Sequence, residues 1–162
     1  MPVVDKDLFK RLAAYCARGE RSPLQVELWL ERRGVEAPQY PAYQEQLQVL
    51  NLLNPERFAQ AFASDKMRFC GWGPLKVRAA LKHHKLPEEL IARALQQQDE
   101  ELQSESEAAL AELLRSKLSR TSAPNPYLLA QKLIAYAANK GYTREQIARA
   151  LHTIQLSPDE LE

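Results

Sequence analysis

The feature that most constrains this chain is a short pattern of proline- and glycine-punctuated apolar segments that recurs along it. Ser22-Pro23-Leu24-Gln25-Val26 matches Gly73-Pro74-Leu75-Lys76-Val77, and Leu30 matches Leu81 at the same offset. Ile91 to Leu95 and Ile147 to Leu151 both read IARAL, at a second offset that also pairs Lys76 with Lys132. Proline is favoured at the first helical position and glycine just past the last, so this punctuation cuts the chain into short helices. Helices of this length are marginal alone in water and must bury one another. A repeat at a spacing of roughly fifty residues marks an array of small helical modules.

The middle copy, Arg57 to Leu95, shows the unit most clearly. Asn54-Pro55 caps a helix with Phe58, Ala59, Phe62 and Phe69 on one side, and Gly71, Gly73 and Pro74 end it and open the next. Val77, Ala80 and Leu81 form the apolar face of the second helix. Arg78, Lys82 and Lys85 follow at i, i+4, i+7 as a cationic stripe beside that face. Leu86-Pro87 breaks the chain before a third helix carrying Leu90, Ile91, Ala94 and Leu95.

The flanks follow the same grammar. Asp5 caps a helix that turns Leu8, Phe9, Leu12 and Tyr15 inward, and Ser22 to Gln25 is a capping box ahead of Val26, Trp29 and Leu30. Pro38 and Pro41 delimit a loop before a helix around Tyr43 to Leu52. The middle module closes near Gln98, and a long helix from Asp99 to Leu118 presents Leu110, Leu114 and Leu118. After the linker Arg120 to Pro124, Asn125 caps a helix with Leu129, Leu133 and Ala137 inward. Thr143 to Gln146 is a second capping box, before Ile147, Leu151 and Ile154. The expected architecture is all-α, three tandem three-helix repeats at 5–52, 53–98 and 99–155, with a fraying tail at 156–162.

Five glycines and scarcely any β-branched alternation argue against a sheet protein. No apolar run approaches the roughly 18–20 residues that span a bilayer, and Asp5 and Lys6 interrupt any secretory leader, so neither membrane nor export is expected. Cys16 and Cys70 lie in different modules without metal or redox spacing, which fits a reduced, cytoplasmic setting. Net charge is only +1, so the distribution matters more than the sum. The middle module is basic, whereas Asp99 to Glu112 holds six carboxylates and no Lys or Arg. That juxtaposition suits a charged partner surface, or a partner carrying nucleic acid.

These segments resemble a known family. LNPERFAQAF at Leu53 to Phe62, the glycine turn RFCGWG at Arg68 to Gly73, and PLKVRAALKHHKL after it are similar to the RecX regulatory family, the turn in the form of its Bacteroidetes-type members. AAYCARGERSPLQVELWLERRG at Ala13 to Gly34 resembles that family's first repeat. The likeness runs from about Leu8 to Leu151 and is looser in the third module. Asn54-Pro55 stands where the family usually has acidic residues, and Pro38 to Pro41 is a departure; both still cap or punctuate helices. The resemblance implies three tandem three-helix repeats in an elongated, curved molecule. It also implies a monomer that binds the RecA recombinase filament in its helical groove and restrains filament growth and activity in recombination and DNA repair. Some members also bind single- or double-stranded DNA.

The candidate partner-binding residues are cationic or aromatic. Lys76, Arg78, Lys82 and Lys85, with Lys66 and Arg68, are placed to meet acidic protein patches or phosphates. Arg18, Arg21, Arg32 and Arg33 hold the corresponding edge of the first module. Trp72, between two glycines, is either an exposed anchor or a ring folded over its module's own core, and the second is favoured. His83 and His84 are adjacent, so they face different ways and do not chelate as an i, i+4 pair does. No catalytic set, cofactor motif or metal cluster is legible, so a non-enzymatic role is expected. The alternative is a helical DNA-binding protein acting through the basic middle module, separable by steep salt dependence without RecA. A scaffold for another helical partner stays open beside both. Thr143 to Leu151, TREQIARAL, resembles the first helix of a helix-turn-helix, but the acidic stretch that follows it makes a sequence-specific repressor the weaker reading.

Overall fold

The computed structural model describes residues 3–155, except the side chains of residues 103–104; the expected fraying tail at 156–162 lies outside them. Among the described residues the regular structure is helical throughout. The elements are α1 (Lys6–Ala17), α2 (Pro23–Glu31), a single 3-10 turn (Ala37–Gln39), α3 (Tyr40–Val49), α4 (Pro55–Phe69), α5 (Pro74–His83), α6 (Glu88–Ser119), α7 (Pro126–Asn139) and α8 (Arg144–Thr153). This is an all-α repeat fold.

The caps act where the sequence places them. Asp5 accepts the Leu8 amide, and Asn125 accepts that of Leu128, each at 2.9 Å. Asn54 accepts the Arg57 amide at 3.1 Å, so the departure from the family pattern still closes a helix start. Both capping boxes form, Ser22 with Gln25 and Thr143 with Gln146. Each satisfies two amides that a bare helix end leaves unpaired.

Three expectations are corrected. The Pro38 to Pro41 stretch is no open loop: its prolines sit in first-turn positions of the 3-10 turn and of α3, which therefore starts three residues before Tyr43. Phe69 is 80% exposed instead of sharing the face of Phe58 and Phe62. The buried stripe of α4 centres on Ala59 and Ala63, so the phenylalanine edge is open to water at the last turn. The break near Gln98 does not exist. With no proline or glycine between Pro87 and Pro124, helix formers carry α6 through 32 residues, and the last helix of the middle repeat and the first of the third are one.

The chain divides into two compact units: residues 1–62 with 80–94, and residues 63–79 with 95–162. The first unit is built on Leu12, Cys16, Val26, Trp29, Leu30, Tyr43, Leu47 and Leu53. All but Trp29, Cys16, Leu53 and Tyr43 are wholly shielded, and each shielded leucine contributes about 1.5–3 kcal/mol relative to exposure. The Tyr43 hydroxyl finds a donor in the Asp5 amide at 3.1 Å. The second unit is built on Leu110, Leu114, Leu133, Ala137, Tyr142, Ile147, Ala150 and Leu151.

Within the second unit two turns meet backbone to backbone. The amide of Gly73 donates to Lys140 at 2.7 Å and that of Leu75 to Gly141 at 2.8 Å, while the Tyr142 hydroxyl donates to the Gly71 carbonyl at 3.0 Å. A Cβ on Gly73 would fall 2.5 Å from the Gly141 backbone, and one on Gly141 would fall 2.4 Å from the Lys76 Cβ. Gly141 also has φ +96°, which side-chain-bearing residues rarely adopt.

Candidate interaction surface

The middle-module cations do not form the continuous stripe that their spacing suggests. Arg78 and Lys82 lie one turn apart on α5, but the helix ends at His83 and Lys85 sits beyond it at φ +66°. There its ammonium bonds Glu27 at 2.6 Å, which raises the Lys85 pKa through that hydrogen bond first and the charge of Glu27 second. Lys82 is 3.5 Å from Glu88, Arg93 3.4 Å from Glu56, and Arg68 3.0 Å from Glu101. The acidic stretch of α6 thus answers one of the basic residues directly, and two further carboxylates on it, Glu107 and Glu112, pair with Arg149 and Arg115. Exposed pairs of this kind contribute only about 0–1 kcal/mol, so a partner's better-placed carboxylate or phosphate displaces them at small cost.

The Trp72 ring is half-buried and carries the Lys76 ammonium 4.4 Å and the Lys66 ammonium 5.0 Å from its centroid. An indole face attracts a cation electrostatically, so Trp72 organises two of the predicted residues into one cluster.

In the first unit the four predicted arginines divide into two roles. Tyr15 and Trp29 stack with centroids 6.1 Å apart. Arg21 lies 4.0 Å over Tyr15 and donates to the Tyr15 carbonyl, and Arg33 lies 3.6 Å over Trp29 and donates to the Trp29 carbonyl. These guanidiniums are held flat and lose little freedom on binding. Arg18 and Arg32 are exposed and line, with Arg33, Leu28 and Trp29, one surface groove. The structure therefore brings Arg18, Arg32 and Arg33 together.

One polar link has no counterpart in the sequence reading. Ser22 is fully buried, and its Oγ meets His84 Nδ1 at 2.8 Å while capping α2. The ring of His84 packs on Phe58 at 5.1 Å and Phe62 at 5.5 Å between centroids. Burial first, and the neighbouring His83 second, lower its pKa, so the packing favours the neutral ring beside the serine hydroxyl. The histidine doublet therefore does separate to different surroundings, one exposed and one packed, but no spacing rule announces the serine partner. Burial pushes the Cys16 thiol up to about 11, whereas Cys70 is exposed. Among the described residues no cluster of His, Cys, Asp or Glu could hold a metal ion, and no helix is long and apolar enough to cross a membrane.

Two family models match the chain, that of the RecX second three-helix domain over residues 55–95 and that of the RecX third three-helix domain over residues 105–151. The chain belongs to the RecX family. The RecX boundary between these two domains falls inside the unbroken α6. A protein named Regulatory protein RecX in Chlorobaculum tepidum is 28% identical over 144 residues, which cover 89% of this chain and 84% of the relative. The namesake in Lactococcus lactis subsp. cremoris is 30% identical over 112 residues, 68% of this chain but 40% of the relative's own length. In three dimensions the crystal structure of RecX from Lactobacillus salivarius superposes with a TM-score of 0.74 at 20% identity, covering 91% of this chain and 94% of that one. Another solved structure, of regulatory protein RecX, gives 0.79 at 16% identity, covering 92% and 71%. At such identities the structural likeness speaks for the fold alone.

Proposed function

We propose that this chain is a cytoplasmic, monomeric regulator that binds filaments of the RecA recombinase and restrains their growth and activity in recombination and DNA repair. The observation that carries the reading is the match of two successive RecX domains, over 55–95 and 105–151. Three helical modules, 5–52, 53–98 and 99–155, make modest contacts with neighbouring filament subunits. Linking them raises affinity through effective concentration. The arginine groove of the first module and the Lys66, Trp72 and Lys76 cluster of the second supply those contacts, helped by Arg68, Arg78, Lys82 and Lys85 once their exposed ion pairs exchange. No bond of the filament is cut in this scheme; subunit addition and turnover are what change.

The test is RecA ATP hydrolysis on single-stranded DNA, with RecA from the same source and this protein titrated well below the RecA concentration. Inhibition at low stoichiometry is the expected result. An unchanged rate at equal concentrations overturns the proposal.

A further inference from the structure

The corner between α4 and α5 is fixed through its backbone, while its side chains stay open to water. The Trp72 amide donates to the Lys66 carbonyl at 3.0 Å, and the amides of Gly73 and Leu75 are tied to Lys140 and Gly141. A corner held in this way is preorganised, so docking on it costs little ordering. Lys66 and Phe69 lie one turn apart on α4, and the Lys66 and Lys76 ammoniums share the Trp72 ring. Lys140 joins them by donating to the Cys70 carbonyl at 3.4 Å. Phe69 is 80% exposed, and Leu75 is exposed too. Aromatic and apolar side chains left in water beside cations have the composition of a protein docking surface.

One carboxylate already sits beside this corner. Glu101 of α6 accepts from the Arg68 guanidinium at 3.0 Å through Oε2 and from the Gln97 side-chain amide at 3.1 Å through Oε1. Both oxygens are held, yet the Arg68 and Glu101 side chains remain 42% and 43% exposed. We propose that Glu101 is an internal competitor for the corner. It holds Arg68 until a carboxylate on an acidic, apolar-bearing segment of the partner protein displaces it and seats an apolar side chain on Phe69. The inference rests on the filament reading and names the chemistry of the surface that this corner meets. Glu101 itself indicates the class of ligand, since a guanidinium edge matches a planar carboxylate. The plain alternative is that the pair only ties α4 to α6. In that case removing Glu101 loosens the fold and never improves binding. A tie also leaves Phe69 unaccounted for, because it gives no reason for a large ring to stand in water beside Arg68.

The experiment has two arms, both on the full chain. In the first, fluorescence anisotropy follows labelled polyglutamate at low salt, with Arg18→Gln and Arg32→Gln present throughout to silence the first-module groove. Glu101→Gln tightens binding about three- to fivefold, the most that an exposed pair allows. Glu105→Gln, which removes the same charge one turn further along α6, changes it less than about twofold. Arg68→Gln alone also changes it less than about twofold, but added to Glu101→Gln it abolishes the gain. In the second arm, RecA ATP hydrolysis is titrated with the otherwise unaltered chain. Glu101→Gln lowers the half-inhibiting concentration about three- to fivefold, and Phe69→Ser raises it at least about fivefold with thermal melting unchanged. No gain in Glu101→Gln, an equal gain in Glu105→Gln, a gain that survives Arg68→Gln, or full inhibition by Phe69→Ser overturns the proposal. The two readings fail separately. A gain on polyglutamate with no inhibition of RecA by any variant sinks the filament reading and leaves the competitor standing. Inhibition by wild type with no gain in Glu101→Gln in either arm does the reverse.

Discussion

At the scale of single residues, His84 carries the sharpest consequence. Its neutral ring is what Ser22 and the two phenylalanines accommodate, and the folded protein binds its proton less readily than the unfolded chain. The unfolded chain therefore holds more protons below the ordinary histidine value of about 6.5, and stability falls as pH drops through that region, while above it the contribution is complete. Urea unfolding midpoints should decline between about pH 7.5 and pH 5.5 in wild type, and the decline should shrink in His84→Gln. An identical pH response in both proteins would remove His84 as the cause. None of this was legible beforehand. The sequence places Ser22 in a capping box and His84 on an amphipathic helix, but their meeting depends on a tertiary packing that no local spacing encodes.

At the scale of elements, turns matter more than helices. Gly73 and Gly141 lie more than a full repeat apart in sequence and touch in space, which leaves no volume for a methyl group on either. Gly141→Ala should cost about 2–4 kcal/mol, since it combines a backbone clash with a left-handed φ, and Gly73→Ala should cost a similar amount through the clash alone. Gly19 meets nothing within 4 Å and has no positive φ, so Gly19→Ala should be neutral or stabilising by up to about 1 kcal/mol. Thermal melts of the three variants check this, and equal melting points for Gly141→Ala and Gly19→Ala would contradict it. Helix starts were legible because Ser22, Asn54, Asn125 and Thr143 carry their chemistry locally. The extent of α6 was obscured by a module boundary inferred from repetition, although its own composition holds no breaker. Repetition fixes where a unit recurs, not whether the backbone pauses between copies.

At the scale of the whole molecule, the filament reading predicts shared, not concentrated, binding energy. Arg18→Gln with Arg32→Gln, and separately Arg78→Gln with Lys82→Gln, should each raise the concentration needed for half-inhibition of RecA ATP hydrolysis by roughly three- to tenfold. Combined, the effects should multiply, because distant sites add in free energy. A combined variant no weaker than the weaker single pair would mean that one module alone carries the contact. Lys85 is best left intact in such a series, since its removal strands Glu27 and mixes stability with binding. The candidate cations were legible as a class from composition. Which of them carry neutralising partners, and which lie over aromatic rings, required the fold.

The joint at Gly73 and Gly141 has a further meaning for descent. Its two backbone bonds use amides and carbonyls that every residue but proline possesses, so apart from the Tyr142 hydroxyl it asks of the surrounding sequence chiefly that two positions stay bare. Neighbouring side chains can then drift without loosening the turn. A lineage built on joints of this kind can exchange most of its residues and keep its architecture, with selection falling on a few glycines instead of on a wide, jigsaw-matched interface.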